Sequence, residues 1–110
     1  MEQALLVLTN VPDVDCAKLV ARTLVESRLA ACVKLLPAVQ SIYRWQGQIE
    51  EATEIPLLIK TSSQHYDSLQ QAIVKLHPYD VPEIIAIPIV AGYAPYLQWI
   101  ANETAKENHA

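Results

Sequence analysis

Only two glycines, Gly47 and Gly92, occur among 110 residues, and with 52% hydrophobic content that scarcity describes an ordered globule, not a flexible chain. It leaves no glycine-rich loop to cradle phosphate and no Gly-x-Ser-x-Gly turn for a serine nucleophile. No two histidines stand at helical spacing for a metal. Lysine and arginine nowhere cluster, and the net charge of −4 argues against nucleic acid, whose phosphates need a basic surface. No apolar run reaches membrane-spanning length, and a strand is expected soon after Met1 with no secretory leader. The expected address is therefore the cytoplasm, with no membrane or nucleic-acid partner. Two cysteines are too few for a disulfide framework. Cys16 opens an expected helix and Cys32 lies past its far end, roughly 18 Å or more away at about 1.5 Å per residue. Both read as small core hydrophobes.

What is present reads as one domain, long enough for a core without staples. Residues 4–9, Ala-Leu-Leu-Val-Leu-Thr, suit a central strand. Asn10-Val11-Pro12-Asp13 turns the chain, with Asp13 as N-cap of a helix over 14–28. Its expected stripe is Cys16, Leu19, Val20, Thr23, Leu24 and Ser27, with Lys18, Arg22 and Glu26 on a solvated face and Arg28 in the last turn. Thr61-Ser62-Ser63-Gln64 resembles a capping box opening a second helix with Tyr66, Leu69, Ile73 and Leu76 inward. Pro78 stops that helix at His77. A strand follows over 84–90, and Pro88 marks it as an edge or a bulge. Pro95 starts a last helix carrying Tyr96, Leu97, Ile100 and Ala101, and the tail from Asn102 is expected to fray. The order is βαββαβ plus a helix: an α+β, ferredoxin-like sandwich with an extra C-terminal helix.

Between the helices lies a long β-hairpin over 32–61, turned at Gln46-Gly47, so that Trp45 faces Gln48 and Pro37 faces Pro56. Proline donates no ladder hydrogen bond, so that level must bend or bulge. Each arm is some fourteen residues, roughly 45 Å if straight, against a diameter of roughly 35 Å for a domain of this size. The tip must overhang. One face of it carries Val39, Ser41, Tyr43 and Trp45, which other copies of the chain are expected to cover. The competing arrangement is a bent hairpin folded back on its own domain. Glu50, Glu51, Glu54 and Arg44 mark a face of the tip that stays wet, with Arg44 in diagonal reach of Glu51.

Chemistry concentrates in His77-Pro78-Tyr79-Asp80-Val81-Pro82-Glu83, an imidazole, a phenol and two carboxylates on a stiff backbone that loses little entropy on binding. Lys60, at the hairpin root, is expected near Glu83. Read by residue chemistry alone, the segment is more simply a helix exit whose polar groups bond their own backbone. Soft-metal ligands number three histidines and two cysteines. His65 falls in a helix and His109 in the tail, which leaves His77 with Cys32, Asp80 or Glu83 and too few for a closed site within one chain. No nucleophile–base arrangement emerges, so a binding protein is expected and not an enzyme.

Leu29-Ala30-Ala31-Cys32-Val33, Ile42-Tyr43-Arg44-Trp45-Gln46-Gly47-Gln48-Ile49, Lys60-Thr61, residues 77–83 and Tyr96-Leu97-Gln98-Trp99 together resemble the CutA family of divalent-cation tolerance proteins over nearly the whole chain. That resemblance implies a homotrimer whose long hairpins wrap neighbouring subunits, with an architecture similar to the trimeric PII signalling proteins and small-ligand clefts between subunits. It implies a part in tolerance to copper and other divalent cations, with His77 as the metal contact and Tyr43, Trp45, Lys60, Tyr79 and Glu83 at the ligand cleft. The family's copper pattern has a cysteine near the end of the first strand and paired histidines before Pro-Tyr. Here those positions hold Thr9 and Leu76-His77. The alternative function is a non-enzymatic trimeric signalling or scaffold protein that docks another protein.

Overall fold

The computed structural model describes residues 2–105, so His109 lies outside the described residues. Strand β1 (Ala4–Val11) leads through an Asp13 turn to helix α1 (Val14–Glu26). The Asp13 carboxylate accepts from Cys16 N at 2.8 Å, the N-cap expected from the sequence. The buried stripe of α1 runs through Ala17, Val20 and Leu24, while the expected Leu19 is 53% exposed. Helix α1 ends two residues sooner than expected. Leu29 N bonds to Leu24 O at 2.9 Å and Arg28 N to Val25 O at 3.1 Å, with Arg28 at φ 61. These are the paired bonds of a Schellman ending, and the left-handed residue is an arginine where glycine is usual. Arg28 is therefore past the last turn, and its Nη1 instead donates to the Glu103 carbonyl at 3.2 Å.

Strand β2 (Cys32–Leu35), strand β3 (Val39–Trp45) and strand β4 (Gln48–Ser62) build the hairpin. Gln46 at φ 49 and Gly47 at φ 79 give the two-residue turn both central residues in left-handed geometry, and Trp45 pairs with Gln48 as expected. Leu35 pairs with Leu57, and Val39 with Glu54, so three residues (36–38) face two (55 and 56). The bulge falls at the proline level, where Leu36 N donates to Pro56 O at 3.0 Å. The hairpin projects: the chain measures 49 × 29 × 23 Å. Among the described residues no Arg44–Glu51 ion pair forms.

After β4 comes a 3₁₀ turn at Ser63–His65, then helix α2 (Tyr66–Leu76), strand β5 (Ile84–Pro88) and helix α3 (Ala94–Thr104). The expected capping box does not form. Strand β4 continues to Ser62 because β1 pairs with it there, Ala4 opposite Ser62, and the cap comes from Glu2, whose Oε1 accepts from Ser63 Oγ and Gln64 N. Strand β5 is an edge, as Pro88 implied. The sheet order is β2-β4-β1-β5, all neighbours antiparallel, with β3 paired to β4 alone.

Val7, Val11, Leu57 and Ile59 pack with Val20 and Leu24 of α1 and Leu69 and Ile73 of α2. Side chains alternate along strands, so Leu6, Leu8, Leu58 and Lys60 point to the other face. Helix α3 lies on that face, where Ile100 and Thr104 are buried, Thr104 Oγ1 meets Ser62 Oγ at 3.3 Å, and Lys60 Nζ sits 5.4 Å from the Tyr96 ring. The helix is ordered to Thr104, beyond the point at which fraying was expected.

Candidate functional site

Strand β4 has two partners in succession. It pairs with β1 down to Val11 opposite Ile55, and from Glu54 onward with β3 alone. At this handover the hairpin leaves the body of the sheet, and the 78–83 segment runs past its root. Between them lies an open cleft of about 750 Å³. Its hairpin wall is Ser41, Ile42, Tyr43, Trp45 and Glu54. Its other wall is Asn10 with Pro78, Tyr79, Asp80, Val81 and Glu83. The tip face expected to await other copies thus faces the chain's own 78–83 segment at its root. Tyr43 and Trp45 remain 44% and 42% exposed.

The 77–83 segment is held from β1. The Asn10 carbonyl lies 2.6 Å from His77 Nε2, and Asn10 Nδ2 donates to Glu83 Oε1 at 3.1 Å. His77 Nδ1 accepts from Tyr79 N at 3.2 Å. An acceptor at Nδ1 fixes the proton on Nε2, which donates to Asn10. Both nitrogens of this buried imidazole are thereby engaged with backbone, and its ring stacks, tilted, 4.6 Å from that of Tyr79. His77 is a brace, and its one lone pair is in use.

Tyr79 faces Glu54 across the cleft. Burial, then the hydrogen bond and negative charge of Glu54, with smaller effects of Tyr43 and Cys16, push its phenol up to about 12. The Cys16 thiol at the start of α1 is raised by burial and by Asp13, which keeps it protonated and unreactive. Glu54 is only 7% exposed. Three carboxylates, Glu54, Asp80 and Glu83, line the cleft, and among the described residues no lysine, arginine or histidine does.

Tyr43, Trp45, Tyr79 and Glu83 are brought together as expected. Lys60 is not. It pairs with Leu6 while Glu83 bonds to Asn10, four residues further along β1 and roughly 13 Å away. Cys32, opposite Lys60, is equally remote from His77. A soft-metal site within one chain does not fit these positions: one thiol is distant, the other protonated, and the imidazole is engaged. Among the described residues no three His, Cys, Asp or Glu side chains gather as a metal group. Sequence reasoning missed Glu54, Asn10 and Ser41. The register held the signal for Glu54, since Glu54 opposite Val39 shares a face with Tyr43 and Trp45.

Fold and cleft together define a ferredoxin-like α+β domain with an acidic, aromatic-walled cleft at the root of a projecting hairpin. The chain belongs to the CutA1 divalent ion tolerance protein family, which matches residues 5–103. It is similar to the divalent-cation tolerance protein CutA of Thermus thermophilus, with 47% identity over 98 residues, 89% of this chain and 95% of that one. A solved structure of the divalent cation tolerance protein from Thermus thermophilus superposes with a TM-score of 0.91 at 45% identity, covering 93% of this chain and 99% of the other. The chloroplastic protein CutA of Arabidopsis thaliana is 38% identical over 101 residues, 92% of this chain and 56% of that protein. The family expected from the motifs is the family found.

Proposed function

We propose that this chain serves divalent-cation tolerance, copper included, as a cytoplasmic, PII-like homotrimer whose clefts, closed by neighbouring copies, bind a metal ion or small ligand. It is a binding protein in this reading and not an enzyme. The observation that carries it is the cleft's charge: among the described residues, three carboxylates and no basic side chain line it, which makes it attractive to cations. Because His77 would have to release Asn10 or Tyr79 to ligate, the exposed carboxylates of Asp80 and Glu83 are the metal contacts within this chain, and neighbouring copies supply the rest of the shell. Lys60 reaches a cleft only if that cleft belongs to another copy.

Assembly is supported by apolar surface that one copy leaves uncovered. Ile42 and Ile49 on the hairpin and Ile85 and Ile87 on β5 are all exposed. Exposed isoleucines in pairs on the hairpin and on an edge strand are surface that a subunit interface would cover.

A native mass spectrum of the protein as purified, with calorimetric titration by copper(II), tests the reading. Three subunits per particle are expected, together with metal uptake that falls at least tenfold in the double variant Asp80→Asn, Glu83→Gln. A lone subunit at micromolar concentration, or no uptake of any divalent ion, overturns it.

A further inference from the structure

We infer that a neighbouring copy completes each cleft by sending its Lys60 among the carboxylates there, the two copies meeting head to tail through one side of the sheet. This deepens the reading of the cleft as closed by other copies and rests on it. Alternation along β4 puts Glu54, Pro56, Leu58 and Lys60 on one side. Asn10, opposite Pro56, shares that side and lines the cleft. The pairing sets Leu8 and Ile85 in line with Leu58, and Leu6 and Ile87 in line with Lys60. The surface is therefore graded. It is acidic at the hairpin root, where Glu54, Asp80 and Glu83 line the cleft. It is basic further along β4 at Lys60 and beside it at Lys34, which pairs with Leu58. Across β1 and β5 it is apolar, and there Ile85 and Ile87 are 48% and 45% exposed.

Such a surface is complementary to a displaced copy of itself. Lys60 stands roughly 20 Å along the strand from Glu54, so one chain cannot bring the two together and two chains can. Acidic end against basic end is a heterologous contact, and repeated contacts of that kind close into a ring, as a trimer requires. The exposed isoleucines supply apolar area, while the charges fix register and orientation. Among the described residues the other cations are worse placed. Lys18, Arg22 and Lys75 are exposed on the helices that cover the opposite side of the sheet. Arg28 is tied to Glu103. Arg44 lies between Tyr43 and Trp45 in β3 and so points away from the cleft. Of the two lysines on the right side, Lys34 is exposed on an edge strand, whereas Lys60 Nζ lies 5.4 Å from the Tyr96 ring. That ring holds the ammonium in place and reduces the freedom lost on docking.

The test treats the whole protein, at micromolar concentration, with a water-soluble carbodiimide, which joins a lysine to a carboxylate only where the two touch. Covalent dimers and trimers are expected in a denaturing gel, and peptide mapping should find Lys60 joined to Glu54, Asp80 or Glu83. Lys60→Met should cut the yield at least tenfold, and Lys34→Met should leave it unchanged. Should Lys60→Met fail to fold, the peptide map of the unaltered protein decides alone. A yield that survives Lys60→Met, or a map in which Lys60 is joined to none of these carboxylates, overturns the inference. A native mass of three subunits beside either of those results sinks only this contact and leaves the shared cleft standing. A two-subunit particle marks an isologous pair and overturns the head-to-tail contact, and a lone subunit overturns the assembly reading with it.

Discussion

Asn10 grips His77 and Glu83 at once, its backbone carbonyl accepting from His77 Nε2 at 2.6 Å and its side-chain amide donating to Glu83 at 3.1 Å. One residue at the end of β1 thereby spans the segment that forms a wall of the cleft. His77→Ala removes two hydrogen bonds from a buried position. At about 1 kcal/mol each, the expected loss is about 2 kcal/mol of stability, read as a lower urea midpoint. A free, ligand-ready imidazole would instead leave the midpoint unchanged.

The Tyr79 phenol ionises late, near 12 against an ordinary 10.0, chiefly because burial and Glu54 oppose phenolate. The folded state therefore holds this proton where the unfolded chain has lost it. Its contribution to stability is complete below pH 10 and is lost as pH rises through 12. Absorbance titration of tyrosinate should show a last step that Tyr79→Phe abolishes, and the variant should lose less stability over that alkaline window. An unaltered titration curve in Tyr79→Phe counts against the Glu54 contact.

Thr9 is buried in the sheet, and among the described residues its Oγ1 has no hydrogen-bond partner. An unpaired buried hydroxyl is a standing cost. Thr9→Val keeps the shape and discards the polar atom, and should raise stability by about 1 kcal/mol in urea melts. Destabilisation would reveal a partner for the hydroxyl.

At the hairpin turn, a Cβ placed on Gly47 meets nothing within 4 Å, so its cost is purely conformational, from φ +79. Gly47→Ala should lower stability by about 1 kcal/mol. Gln46→Asn, at φ 49, should recover part of it, because asparagine tolerates the left-handed region better. Thermal unfolding of the two variants and the pair checks the ordering.

Local chemistry makes much of this fold legible in the sequence. Asp13 caps its helix from three residues away, Gly47 turns its own hairpin, and the two prolines, Pro37 and Pro56, mark the level of the bulge. What stayed hidden was set by distant partners. Thr61 and Ser62 look like a helix start, yet Leu5 and Ala4 hold them in the strand and Glu2 supplies the cap. Lys60 has the charge to pair with Glu83, but the β1–β4 register carries it to Tyr96. Glu54 passed for one more solvated acid of the tip, because nothing local signals that Tyr79 packs against it.

The bulge at the prolines also decides which reading frame the hairpin tip adopts. Carried on without it, the pairing of β2 with β4 would set Ile42 opposite Glu50 and Arg44 opposite Gln48, closing on a three-residue loop. In that frame Tyr43 turns outward, Trp45 falls into the loop and a guanidinium swings to the Glu54 side. Among the described residues, the absence of positive charge from the cleft is thus a matter of phase and not of composition, and one surplus residue between Leu35 and Val39 keeps a guanidinium off that wall.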